Sequence, residues 1–510
     1  METSLSRELH VLSVGQIYKN NFDPGRTALI FKDREWTYGA FDDEVVAYAN
    51  FFKGEGLAPG EPVILDAPNC PEFLFTYLGV VRNAGIIVPV NPMYTLRELA
   101  FTAKDSGAKY LVIGEGVLAQ HEYTKRQLTD ELGVKVLVID DDFRGRVQAA
   151  PREDYDLVDD AGSVSTYLYT SGTTGIPKAA MLTHYNLTMN AVQANTAFDT
   201  RPTDRAILSL PLFHAFAFTA IALTALCEGA CIDLLESFRP KEFIEELIAR
   251  KITVFIGVPA MYVVLVNAGK QNLKFPDIRW VGCGGAALPV DTIKGMQETL
   301  GLEVVEGYGL TEASPCSVFN PLYGVHKPGS IGLAFPLMEA KIVGADGGEL
   351  PPGEPGELLL KGPNIMKGYY NRPEETAAAI VDGWLHTGDI AQTDEDGYIY
   401  IVDRIKDLII VGGLNVYPRE VEEVLFEHPK VAEAAVVGVP DRLRGEVPVA
   451  YVVLKDPADK DETHHKEILR FLKSRLSQYK LPRRVHFIDA LPRNSSGKVL
   501  KQELRDRKES

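Results

Sequence analysis

The chain is short of cysteine, of positive charge and of long apolar runs, and each shortage excludes something. Five cysteines stand among 510 residues: Cys70, Cys227, Cys231, Cys283 and Cys316. Their number is odd and no spacing suits a zinc site or a disulfide framework. Cys227 and Cys231, four apart in an apolar stretch, read as small buried hydrophobes, and a reducing cytoplasm fits. With 53 Lys and Arg against 70 Asp and Glu, the net charge is −17. That excludes a sequence-independent nucleic-acid binder, which needs a basic footprint, but leaves room for a local cationic pocket. The first residues, METSLSRELHVLSVGQ, lack a basic start followed by an apolar run, so no signal peptide is expected. The longest apolar run, 215–227, is too short to span a bilayer, which leaves at most peripheral membrane contact. Internal repeats and low-complexity tracts are also missing.

What is present is an ordinary globular composition, 45 % hydrophobic and 24 % charged, in a chain long enough for at least two domains. Strand patterns at 28–31, 62–65, 86–90, 110–113 and 134–139 alternate with helix patterns at 41–55 and 70–84. This βα alternation predicts an α/β sheet with helices on its faces. The acidic stretch 140–160 reads as a solvated connector. Alternation resumes after it, with strands at 207–210, 254–258 and 278–283 and a helix at 240–250. Proline and glycine punctuate 335–403 into short strands, which predicts a β-rich lobe. Residues 404–510 read as a compact α+β unit, with helices from Pro418 and around Ile468–Leu472 and strands at 432–439 and 448–454. The expected architecture is a large domain over 1–403 and a small α+β domain over 404–510.

The most informative stretch is 169–178, YTSGTTGIPK. Its glycines let the backbone approach an anion, successive N–H groups and hydroxyls can cradle phosphate oxygens, and Lys178 adds charge. A strand is expected before it, at 164–169. An apolar run follows at 179–182, and Thr183 is placed to cap a helix carrying Leu187, Ala191, Ala194 and Phe198. Lys178 is followed by Ala179, and the glycine spacing differs from the Walker pattern, so a P-loop NTPase is disfavoured. Taken alone, SGTTG also suits an ordinary surface loop.

Five further stretches complete a set: PLFHAF (211–216), GYGLTE (307–312), WLHTGD (384–389), DRIKDLIIVGGLNVYPRE (403–420) and NSSGK (494–498). In this order and at these separations, the six motifs resemble the adenylate-forming superfamily, in particular its acyl-CoA synthetase branch. The resemblance runs over nearly the whole chain. It implies a two-step ligase: a carboxylate attacks the α-phosphate of ATP, giving an acyl-adenylate and pyrophosphate, and coenzyme A then takes the acyl group and releases AMP.

Carried onto this sequence, the resemblance gives ATP-binding roles to Thr170, Ser171, Gly172, Thr173, Thr174, Gly175 and Lys178 on the β- and γ-phosphates. Gly284, Gly285, Ala286, Glu306, Gly307 and Tyr308 flank the adenine, Asp389 takes the ribose hydroxyls, and Arg404 contacts ribose or phosphate. Glu312 is the Mg²⁺ ligand, with Thr173 near the metal; one carboxylate suffices, because Mg²⁺ also takes phosphate oxygens. Thr311 contacts the α-phosphate, His214 orients the carboxylate or gates a tunnel, and Lys498 stabilises the transition state of adenylation. By composition alone Lys498 is an exposed lysine, Glu312 a helix-terminal acid and Asp389 a turn residue. The small domain is expected to rotate between half-reactions about Lys406, in the hinge 403–407, and Gly412 and Gly413 to line the CoA tunnel. Phe213, Phe216, Trp280, Gly309 and Cys316 are candidates for the acyl pocket. Arg475, Lys480, Arg483 and Arg484 form a basic cluster that serves the CoA phosphate or is simply solvated.

The acid is less legible. The wording resembles bacterial fatty-acyl-CoA ligases, and the small apolar residues Ala217, Thr219, Ala220 and Ala222 suit an elongated cavity. A medium- or long-chain fatty acid is therefore the first expectation. An aryl acid of the coumarate or benzoate kind is the second, and an acyl-AMP ligase loading a carrier protein is the third. An amino-acid-activating domain is disfavoured by Phe216–Phe218, a luciferase by Ile410, and a non-catalytic binding module by the filled positions Lys178, Glu312, Asp389, Arg404 and Lys498. The expected partners are small molecules (acid, ATP, CoA), with a homodimer left open.

Overall fold

A computed structural model describes residues 12–171, 177–269, 273–493 and 499–507. The chain forms two compact units, one of 1–340 with 360–385 and one of 341–359 with 386–510.

The first unit is built on two mixed sheets. In the seven-stranded sheet, Pro62–Asp66, Ile86–Pro89, Tyr110–Gly114 and Lys135–Ile139 run parallel, with Val164–Ser171 parallel to Ile86–Pro89. Every residue of Pro62–Asp66 is buried, as expected of a parallel strand covered on both faces by crossover helices. Val164–Ser171 then turns back antiparallel onto Pro177–Thr183, and the short strand Gly368–Tyr369 closes that edge. The described ends of the phosphate-loop motif are thus cross-strand partners, with Ser171 opposite Pro177 and Thr170 opposite Lys178. The nine-stranded sheet carries Arg205–Leu208, Cys231–Leu234, Val254–Gly257, Trp280–Cys283 and Val304–Gly309 as parallel neighbours. The expected βα alternation is borne out in both sheets.

Helix boundaries follow local chemistry. Thr37 caps Tyr38–Gly54, and Thr183 with Asn186 forms a capping box on His184–Phe198, the helix expected from its spacing. One expectation is corrected. The acidic stretch after 140 is not all connector: Asp140 caps a helix over Asp141–Gln148, which buries Phe143 and Val147. Those two apolar side chains stand four apart among acids, so composition hid a single buried stripe. The run after His214 includes a π-helical turn, Phe218–Leu223, with all six residues buried. No helix among the described residues is long and apolar enough to cross a membrane.

In the second unit, Val431–Asp441 and Gly445–Leu454 form a long antiparallel hairpin. Ile409–Val411, Leu414–Val416 and Arg484–Phe487 complete a five-stranded sheet. Helices Pro418–Phe426 and Glu462–Lys473 bury Val421, Leu425, Ile468 and Leu472 against Val436, Ala450 and Val452. The α+β reading of this region is correct.

Candidate active site

The hairpin at 164–183 brings the first site residues together. Tyr169 donates from its hydroxyl to Asp105 Oδ2 at 2.9 Å, and Arg372 holds the other oxygen of Asp105 at 2.8 Å. Beside it, Thr170 Oγ1 lies 3.4 Å from Glu312 Oε1. Tyr369 donates to the same oxygen at 2.9 Å, and Lys178 Nζ sits 4.4 Å from the centroid of the Tyr369 ring. Burial and the Glu312 charge push the Tyr369 phenol well above its ordinary range, so it stays a donor. Glu312 belongs to a three-residue 3₁₀ turn, Thr311–Ala313, and its carbonyl accepts from the Met366 N–H at 2.8 Å. Among the described residues no cation pairs with Glu312, and no group of three or more acids, histidines and cysteines forms a metal cage. A lone carboxylate in an all-oxygen setting fits Mg²⁺, which draws its remaining ligands from phosphates and water. Gly172, Thr173, Thr174 and Gly175 lie outside the described residues.

The second group sits where the parallel strands of the nine-stranded sheet end. Gly284 follows Trp280–Cys283 directly, and a Cβ there would come within 2.9 Å of the Phe216 ring. Phe216 therefore packs onto the turn that carries Gly285, at φ +81°, and the exposed Ala286. His214 caps the short helix behind Phe216, its Nδ1 accepting the Phe216 N–H at 3.3 Å. Phe213 is half-buried. Gly307 and Tyr308 pair with Phe319 and Val318 across an antiparallel register.

Three residues of this group make contacts that the sequence does not show. The Glu306 carboxylate is buried and accepts the Leu288 and Gly329 N–H groups, each at 3.2 Å. It ties together the loops that carry Leu288 and Gly329 through their backbones. Trp280 starts its strand, at the end away from Gly284, and its ring packs on Phe198 and Phe319 in a buried aromatic cluster. It is a core residue, because the large ring fills the sheet–helix interface. Gly309 is small for the backbone's sake: a Cβ would fall 2.0 Å from the Pro315 carbonyl oxygen. Its neighbour Cys316 is buried, and burial pushes its thiol up to about 12. The Cys316 backbone is held on both sides by Asn190.

The second unit holds the remaining candidates. Strand Trp384–Thr393 places Asp389 opposite Arg404, and Arg404 Nε pairs with Asp389 Oδ1 at 3.0 Å. Glu357 clamps the turn before Asp389, accepting the Gly388 N–H at 3.1 Å and contacting His386 Nδ1 at 2.8 Å. Asp403 accepts the Arg404 and Arg419 N–H groups, and Asp407 is paired with Arg505. Exposed Lys406 lies between these two anchored acids. Gly412 and Gly413 both have left-handed backbones, φ +60° and +87°, and nothing stands within 4 Å of a Cβ built on either. Of the basic cluster, Arg475 pairs with Glu427 and Lys480 with Glu420, while Arg483 and Arg484 begin the sheet's parallel edge. Lys498 lies outside the described residues.

Sequence reading missed Tyr369, Asp105 and Glu357. Tyr369 stands in GYYN, a string with no chemical signature of its own; only the edge pairing of Gly368–Tyr369 with Met181–Ala180 carries it to Glu312.

Comparison with known proteins shows the family. The profile of the AMP-binding enzyme family matches residues 19–370, and that of the AMP-binding enzyme C-terminal domain matches 420–498. The chain is 37 % identical to a feruloyl-CoA synthase of an Amycolatopsis species over 96 % of its own length and 98 % of the relative's. It is 36 % identical to a long-chain-fatty-acid–CoA ligase of Bacillus subtilis, covering 94 % and 91 % of the two chains. Among solved structures, ATP-bound MatB from Rhodopseudomonas palustris superposes with a TM-score of 0.90 at 32 % identity, over 97 % of this chain and 98 % of that one. With both family profiles matched and full-length relatives that are CoA ligases, the chain belongs to the AMP-binding, adenylate-forming enzymes and is an AMP-forming acid–thiol ligase of the acyl-CoA synthetase kind.

Proposed function

We propose that the chain activates a medium- or long-chain fatty acid with ATP and Mg²⁺ and transfers the acyl group to coenzyme A. The observation that carries the adenylation chemistry is the Lys178–Tyr369–Glu312–Thr170 constellation. Here the cation read for phosphate, on the hairpin, and the carboxylate read for Mg²⁺, on the turn Thr311–Ala313, are joined through Tyr369. When bound, Mg²⁺ supplies charge neutralisation at the phosphates. The protein's part is orientation: Thr170 and Lys178 hold the leaving pyrophosphate, Thr311 faces the α-phosphate, and Asp389 and Arg404 fix the ribose. Lys498 approaches the reacting carboxylate and α-phosphate from the C-terminal domain, read as 404–510. That domain turns about Lys406, which is exposed between the anchored Asp403 and Asp407. Gly412 and Gly413, with open space above them, suit passage of a thin pantetheine arm.

Support for a fatty acid is the buried run of small side chains after His214, with the likeness to the Bacillus subtilis ligase. The full-length likeness to a feruloyl-CoA synthase favours a second reading, an aryl acid. The test is AMP release with ATP, Mg²⁺ and CoA over acetate, octanoate, palmitate, oleate, benzoate and ferulate. Highest kcat/KM on palmitate or octanoate supports the first reading; preference for ferulate or benzoate replaces it. No activity on any of them, with CoA or a carrier protein as acceptor, removes both. In the same assay, Lys498→Ala lowers ATP–pyrophosphate exchange by orders of magnitude and leaves thioester formation from preformed adenylate intact. Normal exchange would withdraw Lys498 from the transition state.

A further inference from the structure

We propose that Tyr369 is a positioning residue for adenylation: its hydroxyl aims the Glu312 carboxylate at the metal while its ring seats Lys178 against the phosphates. The proposal rests on the reading of Glu312 as the Mg²⁺ ligand.

The geometry is a closed circuit of four residues, three links made by side chains and one by strand pairing. Thr170 and Lys178 are cross-strand partners on the hairpin. Lys178 rests on the Tyr369 ring at 4.4 Å, the Tyr369 hydroxyl reaches Glu312 Oε1 at 2.9 Å, and Thr170 reaches the same oxygen at 3.4 Å. Metal ligand and phosphate lysine are therefore spaced by one tyrosine.

Glu312 needs such a partner. A glutamate side chain has several rotatable bonds, and its host turn is three residues long. Backbone anchoring through Met366 fixes the Cα but not the carboxylate. A phenol can only donate to a carboxylate, so Tyr369 orients Oε1 without neutralising it and leaves Oε2 for a cation. A lysine or arginine in its place would hold Glu312 equally well and cancel the charge that the metal needs.

Tyr369 is itself well fixed. The residue is 8 % exposed, its strand pairs with Met181 and Ala180, and its N–H donates to Thr376 Oγ1 at 2.8 Å. Thr376 Oγ1 also lies 2.8 Å from the Arg372 carbonyl. Arg372 reaches Asp105, which accepts the Tyr169 hydroxyl at the root of the hairpin. The segment 368–376 thus braces the base of the phosphate loop and aims its metal ligand with one set of contacts.

The test measures binding of α,β-methylene-ATP by calorimetry across a Mg²⁺ titration, for wild type, Tyr369→Phe, Tyr369→Leu and Glu312→Gln. Melting temperatures confirm folding. Tyr369→Phe keeps the ring and loses the donor. It raises the Mg²⁺ concentration at half-effect about tenfold, as expected for losing one hydrogen bond to a charged group. Affinity at saturating Mg²⁺ stays within about twofold of wild type, because Lys178 keeps its seat. Tyr369→Leu shifts the same midpoint and also weakens binding at saturating Mg²⁺ several-fold. If Glu312→Gln moves the midpoint and neither Tyr369 variant does, the positioning role is overturned. If Glu312→Gln leaves the midpoint unmoved, the metal reading of Glu312 fails, and this proposal goes with it. A fall in melting temperature with no midpoint shift assigns Tyr369 to packing alone and also overturns it.

Discussion

Glu312 directly follows a threonine in its short motif and Asp389 stands two residues after one in its own, and the fold holds the two acids in opposite ways. Glu312, half-buried, takes two hydroxyl donors on one oxygen and no cation from any described residue. Asp389, with its side chain 5 % exposed, takes the Arg404 guanidinium at 3.0 Å and the Thr387 hydroxyl on its own N–H. Hydroxyls orient a carboxylate and leave its charge in place; a guanidinium orients and cancels it. The first arrangement suits an acid waiting for a metal. The second suits an acid that presents lone pairs to neutral sugar hydroxyls from a buried position, where an unpaired charge is costly.

The sharpest way to break this contrast is Glu312→Gln. It removes the one negative charge the first arrangement preserves, and adenylation falls by about two to three orders of magnitude. The melting temperature hardly moves, since no ion pair is lost. Rates near wild type at saturating Mg²⁺ would show that the carboxylate charge is not used. Asp389→Asn is milder. The amide keeps one acceptor, so KM for ATP rises about tenfold while kcat changes little. A fall in kcat of the same size as that of Glu312→Gln would erase the distinction between the two acids.

Arg404→Gln tests the other half. It removes the guanidinium from buried Asp389 and lowers the melting temperature by about 2–4 °C, a loss of roughly 1 kcal/mol given the part-exposed arginine. An unchanged melting temperature would mean that solvent already screens the pair.

How far the sequence alone reaches can be read from the same residues. Glu312, Asp389 and Arg404 lie in strings that the resemblance to the adenylate-forming enzymes singles out, and the βα alternation that positions Glu312 follows from hydrophobic periodicity. Tyr369 was illegible because its contact with Glu312 depends on a two-residue edge strand, set by long-range pairing and not by local pattern. The same holds for Asp105, whose link to Tyr169 spans 64 positions. The surroundings of Trp280 and Gly309 were illegible for a related reason. Residue size is visible in a sequence, but the direction in which the missing or added atoms point is not. The helix at 141–148 hid because only Phe143 and Val147 of its residues are buried.

A third carboxyl completes the comparison. Asp66 ends the all-buried strand Pro62–Asp66, is 1 % exposed, and its Oδ1 has no hydrogen-bond partner among the described residues. With neither hydroxyls nor a cation to hold it charged, burial pushes its carboxyl up to about 8. The folded chain therefore keeps a proton there that the unfolded chain releases near pH 4. Stability contributed by the neutral form is complete below that pH, declines as pH rises toward 8 and is level above it. Asp66→Asn removes the titration. Its melting temperature relative to wild type should rise steadily between pH 5 and pH 8. His184 works from the acid side: burial lowers its imidazole to about 4 while Nδ1 accepts the Val14 N–H, so wild type also loses stability as pH falls below about 6.5. Asp66→Asn should leave that acid limb untouched. A stability difference independent of pH would mean that Asp66 is ionised in the folded chain, and that a buried carboxylate here survives without either kind of partner.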